Sequence, residues 1–209
     1  MSTFRTRTVL VALGCIAAIA LGSCAAPRGA RTGSAPAGPV TAGGAASGTE
    51  LARLVRLAAE RVLTADTVAA SKWDTTQSID DPVREKAVLD NAAAQAAKSG
   101  VDPNAVQRIF EDQITANKTV QRALFALWQA QPAKRPTVRP DLATEVRPLL
   151  DSLDGLLLTA IKQAQPMLSQ PGCGAVLEQA KAATARTMGL DAIHTDGLTQ
   201  ALAHTCQAG

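Results

Sequence analysis

DPNAVQRIFEDQITANKTVQRALFALW, residues 102–128, has the period of a helix and no other. Val106, Ile109, Phe110, Gln113, Ile114, Ala116, Val120, Leu124 and Leu127 recur at three- and four-residue steps, and Asp102-Pro103 supplies a cap followed by a first-turn proline. Outward from this stretch the same period holds. Upstream, Leu51, Leu54, Val55, Ala58, Val62 and Leu63 mark a helix from Thr49 toward Trp73. A second helix is expected from Asp80 or Asp81, with Pro82 in its first turn, to a cap at Ser99-Gly100. Downstream, residues 131–141 hold three prolines and read as a connection. Helices are then expected over 142–168, 173–188 and 191–206, with Pro148 in the first turn of the fourth or kinking it. The expected fold is an all-α single-domain bundle of about six helices, with no strands.

Composition agrees. Only 2% of the 209 residues are aromatic, with no Tyr, while 46% are hydrophobic, so the core must be built from Ala, Leu, Val and Ile. Sheet proteins draw on aromatic and β-branched residues instead. Basic and acidic residues number 21 and 18, a balance that gives no field for nucleic acid, and stacking platforms are lacking. No nucleic-acid partner is expected.

The N-terminus reads as an address. Arg5 and Arg7 precede VLVALGCIAAIALG (9–22), which is too short to span a bilayer but suits a secretory signal. Leu21-Gly22-Ser23-Cys24 is similar to a bacterial lipobox, making residues 1–23 the signal and Cys24 the candidate lipidation site; cleavage after Ala26 is the alternative. Residues 24–48, rich in Ala, Gly, Pro and Ser, are expected to form a disordered tether. The all-α domain is then 49–209, divided into helices over 49–168 and a C-terminal module over 169–209. Export makes Cys173 and Cys206 a candidate disulfide. A catalytic thiol lacks a His or acid at a telling spacing.

Several polar side chains fall beside apolar stripes. Arg61 and Lys72 lie three turns apart on the first helix. Asp81 and Arg84 open the second, Asn117 and Gln121 are i, i+4 on the third, and Arg147 opens the fourth. Taken singly, the cations are ordinary snorkelling residues, Asp81 is a helix cap, and the amides are surface groups. Together they would form a polar pocket inside a bundle, whose cations, short of acids, need a small polyanion such as a dicarboxylate. His194 and His204 read as surface or capping residues.

From about Glu50 to Gln207 the chain resembles the exported all-α chorismate mutases of the AroQ class, γ subclass. The segments that carry the resemblance are AAERVLTADTVAASKW (58–73), IDDPVREKAVLD (79–90), DPNAVQRIFEDQITANKTVQ (102–121), DSL (151–153) and the two cysteines. It implies an isomerase that converts chorismate to prephenate by a unimolecular rearrangement, with no cofactor and no metal. It further implies that Arg61 binds a substrate carboxylate and that Lys72 reaches a carboxylate and the ether oxygen. Asp81 would sit near the substrate hydroxyl, Arg84 would support the ligand network, and Gln121 would be the second ether-oxygen donor. Lys72, Gln121 and Arg84 thereby become the catalytic set. Asn117 stands where relatives have a small hydroxyl residue, and Val88 where the family can be polar. Arg147 is assigned a further carboxylate, with Arg139 as the fallback. The expected location is outside the cell or at the envelope, with membrane contact only through a lipid on Cys24. A homodimer through the terminal helices would require apolar stripes exposed there. The alternative reading is a non-catalytic exported lipoprotein that binds a small dicarboxylate or a partner protein.

Overall fold

The computed structural model describes residues 42–207, with side chains from Gly48 onward; the signal, Cys24 and the tether before Ala42 lie outside the described residues. Six helices follow in order: α1 (Ala42–Lys72), α2 (Pro82–Ser99), α3 (Pro103–Ala130), α4 (Arg147–Leu168), α5 (Cys173–Met188) and α6 (Ala192–Ala201). No strand occurs among the described residues.

The first helix starts seven residues before the expected boundary, inside the stretch read as tether. The added residues 42–48 hold three alanines, the best helix former, but also three glycines, so the extension owes more to propagation from the nucleus that Leu51 to Val55 fix than to intrinsic propensity. Composition alone did not reveal that extension.

Helix α1 is the axle of the bundle. It packs most extensively on α4 and α3, and then on α5 and α6. Leu51, Leu54, Val55, Leu57, Ala58, Ala59, Val62, Ala65, Val68 and Ala69 are all buried, a broad apolar face that leaves one side, with Arg53, Arg56 and Asp66, to solvent. The core continues through Ile109 and Phe110 of α3 and Leu157, Ile161 and Leu168 of α4. Trp73, Phe125 and Trp128 close one end as edge-on and tilted rings 5.0 to 5.9 Å apart.

Two loops end in the same reciprocal cap. Asp81 accepts from the Arg84 N–H at 3.1 Å while Glu85 accepts from the Asp81 N–H at 3.1 Å. Asp141 accepts from the Ala143 and Thr144 N–H groups while Glu145 accepts from the Asp141 N–H at 2.9 Å. After Asp141 the chain makes a π-helical turn, Leu142–Val146, before α4 begins. Pro148 explains the wider turn: its ring would strike the Thr144 carbonyl in a regular helix, and it has no N–H to offer.

Helix α6 presses onto α1 and α3 through Gly197, where a Cβ would lie 2.6 Å from a Val120 methyl and 3.0 Å from a Val62 methyl. Its N-terminus is held by His194, which is buried between Asp191 at 2.7 Å and Asp66 of α1 at 3.0 Å. Hydrogen bonding to Asp66 raises the imidazole to about 9 against the opposing effect of burial, and Asp191 adds to the rise. A pKa raised on folding stabilises fully below about pH 6.5 and is lost as pH climbs through about 9. With both carboxylates half in solvent, the linkage is worth roughly 1–2 kcal/mol. The melting temperature should therefore fall between pH 6.5 and 9.5, and His194→Gln should flatten that fall; equal slopes for both proteins would refute the linkage.

The large exposed apolar side chains are Val83, Val138, Leu149 and Leu156. None lies on α5 or α6, so the stripe that would mark a dimer face there is missing among the described residues.

Candidate active site

Four helices bring their polar residues to one hollow. Arg61 and Lys72 come from α1, Asp81 and Arg84 from the start of α2, Asn117 and Gln121 from α3, and Arg147 from the start of α4; all seven line a single cavity of about 110 Å³. A neighbouring hollow of about 400 Å³ shares Lys72, Asp81, Leu142 and Arg147 with it. Arg139 is not in it: its guanidinium donates to the Trp73 carbonyl at 2.9 Å, so of the two candidate arginines only Arg147 lines the cavity.

The inner wall is buried. Arg61 is 4% exposed and donates from Nε to Asp154 Oδ1 at 2.6 Å. With Nε engaged, the terminal fork has no other hydrogen bond among the described residues. Lys72, 7% exposed, donates from Nζ to the Ile79 carbonyl at 3.0 Å. Burial pulls its ammonium below the ordinary lysine range; Asp81 and Glu85 oppose the fall, and Arg147 adds to it. Gln121 is 3% exposed, and its Nε2 donates to Asn117 Oδ1 at 2.8 Å.

The outer wall is half open. Arg84 is paired with Asp151 of α4. Arg147 lies 3.7 Å from Asp81. Lys118 bonds Glu85 at 2.8 Å and Asp80 at 3.2 Å. Despite burial, which works against its charge, these partners hold its ammonium above the ordinary range.

These pairs correct one expectation. The cations are not short of acids, because Asp154, Asp151, Asp81 and Glu85 each meet one. The lining nevertheless carries five cationic side chains, counting Lys118, against the three carboxylates Asp81, Glu85 and Asp154. A surplus of two positive charges remains, which suits a doubly negative guest.

Sequence reasoning missed Lys118, Glu85 and Asp154. The signal was present: Lys118 is one turn from Ile114 on the same stripe, Glu85 is one turn from Asp81, and Asp154 is two turns from Arg147. Ile79, Val88, Ile114, Leu142 and Leu150 complete the lining as apolar walls. Val88 thus faces the cavity without a polar group.

The chain is similar to known proteins in both sequence and fold. Residues 52–122 match the family Chorismate mutase type II. A secreted chorismate mutase from Mycobacterium tuberculosis is 39% identical over 175 residues, covering 83% of this chain and 86% of the relative. One from Mycolicibacterium smegmatis is 36% identical over 157 residues, covering 75% of this chain and 86% of that one. The crystal structure of chorismate mutase from Burkholderia thailandensis superposes with a TM-score of 0.73 at 39% identity, covering 76% of this chain and 99% of that structure. The chain therefore belongs to the secreted chorismate mutases, in the type II or AroQ family.

Proposed function

We propose that the cavity binds chorismate as its dianion in the compact reactive conformer and rearranges it to prephenate, the activity of the family. The observation that carries the reading is the convergence of seven polar side chains from four helices on one hollow with two surplus positive charges. The reaction is unimolecular, so a protein assists it by restraining the conformer and by stabilising charge that grows on the breaking ether oxygen.

Each role follows from side-chain chemistry. The planar forks of Arg61 and Arg147 suit carboxylates, because both oxygens can be bonded at once. Arg61 is preset for this by Asp154, which holds Nε and leaves the fork free. Lys72, a compact cation in a poorly solvated wall, faces the ether oxygen from one side. Gln121 supplies an N–H to it at any pH, whereas a glutamate there would donate only when protonated. Asp81 meets the substrate hydroxyl, and Arg84, anchored by Asp151, closes the network. Asn117 lines the wall beside Gln121.

Loss of chorismate ultraviolet absorbance with the purified chain tests the reading. Turnover should be flat from pH 5 to 8 and decline on the alkaline side earlier than an ordinary lysine would dictate, as Lys72 loses its proton. Gln121→Glu should be active only toward acid. Equal activity of that variant across pH 5–8 would remove Gln121 from the ether contact.

Export is supported by the signal-like N-terminus and by relatives that are secreted. Lipidation of Cys24 rests on the lipobox-like tetrad Leu21 to Cys24. Radiolabelled fatty acid should enter the wild-type chain in a bacterial host and not Cys24→Ala; unlabelled wild type would mean that the chain is released.

A further inference from the structure

We propose that Asn117 and Thr64 are positioning residues that fix which end of the Gln121 amide faces the ether oxygen. This rests on the reading of Gln121 as the ether donor and adds Thr64, which lies outside the set of candidate residues above.

The polarity originates at an atom that can only accept. The Arg61 carbonyl of α1 receives the Thr64 hydroxyl proton at 2.6 Å. Thr64 has then no proton left, so its oxygen can only accept toward Asn117. One end of the Asn117 side chain lies 3.2 Å from the Arg61 carbonyl and 3.2 Å from Thr64 Oγ1. Facing two acceptors, that end must be the NH₂ group. Oδ1 is therefore turned the other way, toward Gln121, and Gln121 must answer with an N–H, at 2.8 Å. A polarity that begins at the backbone of α1 is passed through two side chains to the amide of α3.

The cavity makes such a device necessary. Its surplus positive charge attracts the carbonyl end of any free amide, and an inward carbonyl would repel the ether oxygen as negative charge grows there. Gln121 Oε1 is buried and has no hydrogen-bond partner among the described residues, so that oxygen would gain by turning toward Lys72 or Arg61. The Asn117 oxygen prevents this, because the turned amide would set two acceptors against each other. Gln121 then has one N–H on Asn117 and a second left for substrate. A protonated glutamate has a single O–H for both tasks, so Gln121→Glu should regain only part of wild-type turnover even in acid.

A double-mutant cycle on the full chain with chorismate tests the assignment. Asn117→Leu, similar in shape, should lower kcat about tenfold, as expected when a preorganised donor is turned away part of the time. KM should hardly move. In a Gln121→Leu background the same change should alter kcat by less than about twofold, since a residue that acts through another has nothing left to act on. Thr64→Val, which keeps the shape and loses the hydroxyl, should show the same dependence with a smaller loss. Wild-type kcat in Asn117→Leu, or an undiminished further loss in the double variant, would overturn the proposal. Should Asn117→Leu not fold, a Thr64→Val effect that persists undiminished in the Gln121→Leu background would overturn it equally. Wild-type kcat in Gln121→Leu alone is a separate result: it would overturn the donor reading itself, and the positioning role with it.

Discussion

Lys72→Ala and Arg61→Ala should each lose turnover by on the order of a hundredfold or more, the loss typical when one preorganised donor is removed from a reacting centre. Both should keep the helical circular dichroism of the wild type at room temperature. Their stabilities should differ. Lys72 gives one hydrogen bond, to the Ile79 carbonyl, and its charge is disfavoured by burial, so truncation should leave the melting temperature unchanged or slightly raised. Arg61 partners Asp154, whose side chain is 14% exposed. Removing the guanidinium leaves a nearly buried carboxylate unpaired, a change that costs about 3–5 kcal/mol in comparable pairs. The melting temperature of Arg61→Ala should fall by about 10 °C. Chorismate absorbance and thermal melts on the same preparations check both statements. Wild-type turnover in either variant would remove that residue from the site.

Loss of the Cys173–Cys206 bridge should produce the other large change, this time in stability rather than turnover. The bond joins the first residue of α5 to the final 3₁₀ turn, across 33 residues that include α5 and α6. Chain-entropy reasoning for a loop of that length gives about 3–4 kcal/mol. For a domain of this size that corresponds to a melting-temperature drop of about 10 °C. Turnover at 25 °C should survive, because the cavity is lined from α1 to α4 and α6 retains its own contacts, among them the Gln113 amide on the Ala201 carbonyl at 2.9 Å. A calorimetric scan with and without reductant, paired with an activity assay, distinguishes the two effects. An unchanged melting temperature would mean that packing alone secures the terminal helices.

The helices were legible in the chain because their causes are local. Pro103 and Asp102 begin α3 where the period begins, Gly100 and Gly189 stop α2 and α5 in left-handed caps, and the apolar rows mark every buried face. The Arg61–Lys72 spacing placed both groups on one side of α1, and helical steps did the same for Asn117 and Gln121. Such relations depend only on residues a few positions apart, so they can be read without knowing what lies opposite.

Whatever depended on the facing partner could not be read in this way. That Asp154 meets Arg61 across 93 residues, and that Asp151 meets Arg84, follows from how α4 lies along α1 and α2. Of Arg139 and Arg147 only Arg147, just after the π-helical turn, lines the cavity, while Arg139 in the proline-rich connection bonds the Trp73 carbonyl. His194 became a buried, doubly paired cation because α6 brings it to Asp66 across 128 residues. Spacing along the chain settles which way a side chain points from its own helix. Which charges it then meets, and hence the net charge of the hollow, is set by packing between helices, because electrostatic partnership depends on distance in space and on exclusion of water.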